Sequence, residues 1–300
     1  MANYTYGSPP FTSTTFTVPV SGTSDVITAL AAADFTINGN GGSDTVSTGS
    51  GNDTITTGTG NDRIKAGNGN NTVNAGNGTN TVTSGSGNDT VTTGTGNDTI
   101  SAGDGNNTVT AGDGTNSVTT GSGDDTITTG SGADKVTSGL GNDIIRTGAG
   151  ADVINAGGGD DSVDAGVGND VITPGAGIDA LTGGGGHDTF VYNSLTDARL
   201  GADTISDLST SAPRGAGEGD LIDMRGLVDG FSGAHHKWSL AQLVSGGFLD
   251  FSAGGGGTVI SFDSNGSAAG GDIGVLVTLV GVAFTSEAAA VIAFGDNILV

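Results

Sequence analysis

Residues 48–56 read Thr-Gly-Ser-Gly-Asn-Asp-Thr-Ile-Thr, and this nine-residue frame recurs seventeen times without a slip. The eighth position is apolar in every copy, from Val46 to Phe190. Glycine holds the fourth position throughout, from Gly42 to Gly186, and the second position in all copies but the first. A fixed internal period of this kind predicts a stacked repeat architecture rather than a conventional globular core.

Each position of the repeat has a physical reading. Glycines at alternate positions permit positive φ and close backbone approach, which a tight turn with inward carbonyls requires. The triplet around the apolar residue is too short for a helix and fits a three-residue strand with one inward side chain. Two nonapeptides then make one coil of turn, strand, turn and strand. The pattern predicts an all-β fold, a parallel β-roll or β-solenoid, whose two sheets face each other across a thin aliphatic core.

The composition opposes a compact state unless cations are bound. The 300 residues include 59 glycines, one tryptophan and no cysteine, which excludes an aromatic-rich core, disulfides and a Cys-ligated metal site. A net charge of -24 makes metal cations better partners than nucleic acid. A flexible linker could share this composition, but it would not hold an apolar register for 145 residues. We therefore expect disorder only in the absence of the cation.

The sixth position of the repeat points to calcium. Ca²⁺ takes about six to eight hard oxygen ligands in flexible geometry, which a glycine-rich turn can supply as carbonyls and an aspartate as carboxylate. A single aspartate in such a turn would be explained as a turn former. The sixth residue is asparagine in four copies and aspartate in thirteen, and these predicted metal ligands are Asp44, Asp53, Asp62, Asp89, Asp98, Asp125, Asp134, Asp143, Asp152, Asp161, Asp170, Asp179 and Asp188.

The repeat resembles the RTX (hemolysin-type) calcium-binding nonapeptide, Gly-Gly-x-Gly-x-Asp-x-U-x, in which U is aliphatic. Residues 156–164, Ala-Gly-Gly-Gly-Asp-Asp-Ser-Val-Asp, carry the match. The departure is at the first position, where Thr, Ala or Ser usually replaces Gly. The resemblance implies multiple Ca²⁺ ions, each lying between turns two repeats apart and stacked along one side of the roll.

The four asparagines are expected to weaken some of these sites. Asn71 and Asn107 fall on one side of the roll, and Asn80 and Asn116 on the other. An amide oxygen can coordinate calcium but lacks the unit charge, so the eight mixed sites among fifteen should be weaker. Six of the seven all-aspartate sites lie between residues 125 and 188, the seven being the pairs 44/62, 125/143, 134/152, 143/161, 152/170, 161/179 and 170/188.

The period divides the chain into three segments. Residues 1–38 form a Thr-rich, strand-like N-terminal cap or arm, residues 39–191 the roll, and residues 192–300 a β-rich C-terminal cap. The last segment resembles the C-terminal target domain of RTX proteins that use type I secretion. That resemblance implies export through the type I secretion machinery, C-terminus first and without N-terminal cleavage, and it rests on residues 201–207, 219–223, 276–282 and 297–300.

Neither a catalytic motif nor a membrane span is visible. The sequence has no His-Glu-x-x-His helix, no Gly-x-Ser-x-Gly nucleophile elbow and no phosphate-binding P-loop. Only residues 1–38 precede the roll, so we expect no enzyme. The longest apolar run, residues 273–284, has 12 residues and is too short to cross a bilayer as a helix.

A roll with two end segments and an export signal indicates a structural protein. We expect a secreted, extracellular building block that folds on Ca²⁺ and self-associates into an ordered polymer, such as a surface layer, biofilm matrix or filament, with retention at the cell surface as one outcome. The alternative is a secreted adhesin or an ice-binding protein. It rests on a ladder of Thr pairs at 54/56, 90/92, 108/110 and 126/128, with Thr72/Asn74 between them. This ladder resembles the face of ice-binding β-solenoids, although Thr is also favoured on any solvated sheet.

Overall fold

The computed structural model describes residues 3–6, 15–17, 22–193, 203–209, 219–224, 249–254, 257–263, 273–280 and 298–299. These residues form 27 β-strands and no helix. Within them, therefore, no helix is long and apolar enough to cross a membrane. The chain divides into two compact units, Met1–Ala149 and Gly150–Val300.

The first unit is a stack of short parallel strands in two sheets. The odd-numbered strands β1 to β15 follow one another in one sheet, and the even-numbered strands β2 to β16 follow one another in the second. Their bounds are β1 (Asn3–Tyr6), β2 (Thr15–Thr17), β3 (Val26–Ala29), β4 (Thr36–Asn38), β5 (Thr45–Thr48), β6 (Thr54–Thr56), β7 (Arg63–Lys65), β8 (Thr72–Gly76), β9 (Thr81–Thr83), β10 (Thr90–Thr93), β11 (Thr99–Gly103), β12 (Thr108–Thr110), β13 (Ser117–Thr120), β14 (Thr126–Thr128), β15 (Lys135–Leu140) and β16 (Ile144–Arg146).

The register of these strands follows the repeat. Val91 pairs with Val73 on one side and Val109 on the other, each eighteen residues away. All three side chains are buried, whereas Thr90 beside them is exposed. Because a strand alternates its side chains between faces, every coil adds one apolar residue to each inward column. The predicted parallel β-roll, with successive repeats in alternate sheets, is confirmed.

Several strands are longer than the predicted triplet, and the first position of the repeat explains why. Strand β8 covers five residues, and Ala75 in it points inward and is fully buried. Ala75 is the first residue of the next nonapeptide, and that position carries a second inward side chain in every repeat except those that begin with Gly39 and Gly183. The expectation of one inward side chain per strand was therefore incomplete. Thr48 and Ser84 occupy the same position and are equally buried.

The second unit continues the same pairing within itself and ends differently. Its strands pair in the orders β17-β19-β21-β23-β27 and β18-β20-β22-β26-β25-β24. Strand β26 pairs parallel with β22 and antiparallel with β25, so parallel stacking stops in that sheet at β26. The strands are β17 (Val153–Gly158), β18 (Ser162–Asp164), β19 (Val171–Ala176), β20 (Ala180–Thr182), β21 (Thr189–Val191), β22 (Asp203–Ile205), β23 (Leu221–Asp223), β24 (Leu249–Gly254), β25 (Gly257–Asp263), β26 (Ile273–Val280) and β27 (Ile298–Leu299).

Candidate metal sites along the turns

Glycine at the fourth position lets adjacent coils approach closely. Gly69 has φ +119°, and an added Cβ there would collide with the carbonyl oxygen of Gly51, two repeats back. The N–H of Gly69 donates to the carbonyl of Ser86, two repeats on, over 2.7 Å. The turns thus stack backbone on backbone, which brings peptide carbonyls close to the side chain at the sixth position.

The sixth-position side chains form two ladders in the first unit. The backbone N–H of each member donates to the side-chain Oδ1 of the next, so that Asp44 N–H reaches Asp62 Oδ1 over 2.7 Å. One ladder begins at the N–H of Asp25 and continues through Asp44, Asp62, Asn80, Asp98, Asn116 and Asp134. The other begins at the N–H of Phe35 and continues through Asp53, Asn71, Asp89, Asn107, Asp125 and Asp143.

The second unit has two ladders of the same kind. One joins Asp152, Asp170, Asp188 and Asp220, and the other joins Asp161, Asp179 and Asp203. Five of the seven predicted all-aspartate pairs, 44/62, 125/143, 152/170, 161/179 and 170/188, lie within one unit or the other, and each is linked directly by such a bond.

The second carboxylate oxygen of these aspartates needs a cation. All thirteen predicted ligands are at most 2% exposed. Among the described side chains, the buried Oδ2 has no hydrogen-bond partner in Asp44, Asp53, Asp62, Asp89, Asp98, Asp125, Asp170 and Asp188. A buried anionic oxygen without a donor is costly, and a bound metal ion removes that cost.

Burial also raises the pKa of several of these carboxyl groups when no cation is present. Burial raises the pKa of Asp44, Asp170 and Asp188 to about 6 from an ordinary value of 3.8, and neighbouring carboxylates add to the rise while a backbone N–H opposes it. Burial likewise raises the pKa of Asp53, Asp89, Asp98, Asp125, Asp143 and Asp220. A bound cation would favour the ionised form of each.

Backbone carbonyls supply the other candidate ligands. Within the described residues, no three His, Cys, Asp or Glu side chains converge as a metal-binding group. The side-chain Nδ2 of Asn71 shows where carbonyls converge, because it donates to Gly69 O at 3.0 Å, Ser84 O at 3.3 Å and Gly67 O at 3.4 Å. Two of these oxygens belong to its own turn, and Ser84 O belongs to the coil two repeats on. A carboxylate with such carbonyls gives the hard oxygen set that Ca²⁺ prefers.

The first position of the repeat, which the sequence did not mark as functional, supports the ladders. At this position the buried hydroxyl of Thr93 donates to the carbonyl of Ala111, eighteen residues later, over 2.6 Å. Burial raises the pKa of Asp98, and the Thr93 hydroxyl opposes that rise. The same bond to the next coil is made by Thr57, Ser84, Thr120 and Thr129.

Three further aspartates join the ladders but were not predicted as ligands. Asp25 donates its N–H to Asp44, and Oδ1 of Asp203 and of Asp220 accepts the N–H of Asp179 and Asp188. Their signal was an Asp-x-aliphatic triplet, as in Asp203-Thr204-Ile205, which survives where the nine-residue spacing is lost. The triplets at Asp203 and Asp220 belong to segments interpreted above as secretion motifs, and residues 201, 202, 281, 282, 297 and 300 of those motifs lie outside the described residues.

Ladders of buried carboxylates beside carbonyl-rich turns define a calcium-binding parallel β-roll. The chain matches the family of RTX calcium-binding nonapeptide repeats over residues 21–55, 47–82, 56–91, 83–118, 110–145, 137–172 and 168–205. These matches cover more than half of the 300 residues, so the chain belongs to that family. Calcium as the bound ion, at multiple sites, is thereby confirmed. Repeats of this family are typical of secreted proteins.

No curated protein matches the chain. A solved structure that it resembles is the AlgE6R3 subunit from the Azotobacter vinelandii mannuronan C5-epimerase, at 28% identity, over 56% of this chain and 78% of that one, with a TM-score of 0.27.

Proposed function

We propose that this protein is an extracellular, non-catalytic building block that folds on Ca²⁺ and assembles end to end into an ordered polymer. Export by type I secretion and retention at the cell surface are parts of the proposal. The observation that carries it is the position of strands β1 and β2. Among the described residues, β1 pairs only with β3 and β2 only with β4, so each is an edge strand.

Edge strands favour association through the end of the roll. A strand at the edge of a sheet presents a row of N–H and C=O groups that can pair with another chain. Two such strands in one unit offer a double template. Calcium would serve this assembly in a second way, since it offsets part of the net charge of -24 that makes copies repel one another.

Electron microscopy of the full-length protein tests the proposal. We expect ordered fibres or sheets with millimolar Ca²⁺ and none in chelator. Thr5→Lys places a charge on edge strand β1 and should abolish the order. Thr110→Lys is the matched control, because Thr110 is exposed on β12, which has a neighbour on either side. Unordered wild-type protein, or ordered assembly of Thr5→Lys, would count against end-to-end assembly.

A second candidate function uses the outer face of the even-numbered sheet. Thr72, Thr90, Thr108 and Thr126 stand in register on adjacent strands, eighteen residues apart. The first three are exposed, as is Thr54 on the preceding strand β6. Strands in a sheet lie about 4.8 Å apart, so the hydroxyls form a regular array suited to ice or to a repetitive polymer surface.

The Thr array is tested separately from assembly. Thermal hysteresis and ice recrystallisation with calcium-loaded protein should show activity if the array binds ice. Thr108→Lys should then remove it, and Thr99→Lys on the opposite sheet, equally exposed, should not. Activity that Thr108→Lys leaves intact, or no activity in the wild type, would eliminate this candidate.

A further inference from the structure

The four asparagine turns differ from the aspartate turns in which atom faces the carbonyls. In all four, Oδ1 is already engaged with the coil behind, as in the bond from Asp53 N–H to Asn71 Oδ1 at 3.0 Å. The amide nitrogen therefore faces the turn. Nδ2 donates to the second- and fourth-position carbonyls at Asn71, Asn80, Asn107 and Asn116 over distances between 2.8 and 3.4 Å.

That amide nitrogen lies where an ion would have to bind. It contacts the carbonyls of its own turn and, at Asn71, the carbonyl of Ser84 in the next coil on that side. Asn71 is also linked to the next carboxylate, because its backbone N–H donates to Oδ1 of Asp89 over 2.7 Å. A partly positive N–H group thus occupies the carbonyl ligands of the turn.

Rotating the side-chain amide by about 180°, so that Oδ1 and Nδ2 exchange places, would not create a cation site. Oδ1 would then face the carbonyls, but Nδ2 would face the N–H of Asp53, donor against donor, and leave that buried backbone N–H without its acceptor. Buried backbone donors are rarely left unsatisfied in folded proteins. The hydrogen bonds on both sides therefore fix the amide in the orientation that excludes a cation.

We infer that the four turns that contain Asn71, Asn80, Asn107 and Asn116 are closed by the asparagine amide in place of Ca²⁺. The sites 71/89, 80/98, 107/125 and 116/134 then take no ion even at saturating calcium. The sites 53/71, 62/80, 89/107 and 98/116 stay open, because there the inward group is a carboxylate whose Oδ2 has no partner. The eight mixed sites are therefore not equivalent. A site is closed when the asparagine precedes the aspartate in the chain, and it is open when the aspartate comes first. This inference does not depend on the assembly proposed above.

Counting bound ions at saturation separates closed sites from weak ones. In the full-length chain at saturating Ca²⁺, the variant Asn71→Asp, Asn80→Asp, Asn107→Asp and Asn116→Asp should bind four more ions than the wild type, by equilibrium dialysis or native mass spectrometry. The matched control is Asn52→Asp, Asn70→Asp, Asn88→Asp and Asn106→Asp. It adds the same charge at exposed positions whose Oδ1 accepts a backbone N–H in the same way, and its count should stay unchanged.

An unchanged ion count in the inward variant would overturn the inference, because it would mean that the asparagine sites already hold calcium. A gain of four in the control as well would also overturn it. Side-chain amide exchange in the calcium-saturated wild type gives a test that needs no variant. The Nδ2 protons of the four inward asparagines should exchange more slowly than those of Asn52, Asn70, Asn88 and Asn106. Equally fast exchange in both sets would contradict closed turns.

Discussion

The backbone N–H of Asp170 donates to Oδ1 of Asp188, eighteen residues later, over 2.9 Å. One carboxylate thus does two things: Oδ1 fixes the distance between two coils, and Oδ2 remains without a donor in the buried turn. The first task is a hydrogen bond that an amide can also accept. The second role, in which Oδ2 faces a cation, requires negative charge. Substitution can therefore separate the two roles.

Asp188→Ala should cost more stability than Asp188→Asn in calcium-saturated protein. Both remove the charge, but only alanine leaves the N–H of Asp170 without an acceptor, which costs about 1–3 kcal/mol when the donor is buried. Urea denaturation at saturating Ca²⁺ measures the difference. Asp164→Asn, the same charge change on the exposed face of β18, is the control and should be nearly neutral. Equal losses for the two Asp188 variants would mean that the inter-coil bond contributes little.

Removal of calcium should unfold most of the chain. One large apolar residue in nine does not offset the conformational entropy of the other eight together with the repulsion among buried carboxylates. We expect far-ultraviolet circular dichroism in chelator to show mainly disorder and to gain β-structure as Ca²⁺ is added, since metal binding and folding are linked. The same β-content with and without chelator would refute calcium-dependent folding.

Mild acid should partly replace calcium. The folded-state pKa of Asp44, Asp170 and Asp188 is raised to about 6 from 3.8, so the folded chain binds protons that the unfolded chain has lost. Protonation therefore stabilises the fold as the pH falls from about 6 towards 3.8, and above that window the cost of the buried charges is present in full.

The acid effect is measured on protein freed of calcium by dialysis over a chelating resin. Its β-content at pH 4.5 should exceed that at pH 7.5. A variant with Asp44→Asn, Asp170→Asn and Asp188→Asn should show a smaller difference between the two pH values. Lower β-content at pH 4.5 than at pH 7.5 would reverse the sign and contradict the prediction.

Gly69→Ala should be strongly destabilising. The alanine would have to adopt φ +119° and would place its Cβ against the carbonyl oxygen of Gly51. Strain of this kind costs about 1–3 kcal/mol. Gly185→Ala is the control, because no atom lies within 4 Å of the added Cβ there. The calcium midpoint of folding should rise for Gly69→Ala and stay near the wild-type value for Gly185→Ala.

The sequence predicted the roll because its period is regular. The distance from Val73 to Val91 is two nonapeptides, and two strands per coil is the arrangement in which both side chains point inward. The continuation through Ile205 and Ile222 was not predicted, although they pair below Leu181 and Phe190. Insertions had broken the spacing there, and only tertiary pairing places these residues in the same columns.

The position of each candidate ligand could also be predicted, but its orientation could not. Spacing alone places Asn71 between Asp53 and Asp89 in one ladder. It does not say which amide atom faces the carbonyls, because that depends on the Asp53 N–H taking Oδ1. The buried hydroxyls at the first position were not predicted for a similar reason. In this composition, the sequence does not distinguish a buried Thr from a Thr on the solvated face of a strand.

The eighteen-residue register also limits how a chain of this kind can change in length. Loss of one nonapeptide would carry every later strand to the opposite sheet, and the Thr array after that point would continue on the face that carries Arg63 and Lys65. Loss of two nonapeptides would leave both ladders of sixth-position side chains and both inward columns of apolar residues in register. Where the chain does exceed the period, from Asp179 to Asp203 and from Asp188 to Asp220, the ladder bond still forms across the insertion. We therefore expect variation in chain length to be tolerated in whole coils, or as segments inserted between coils.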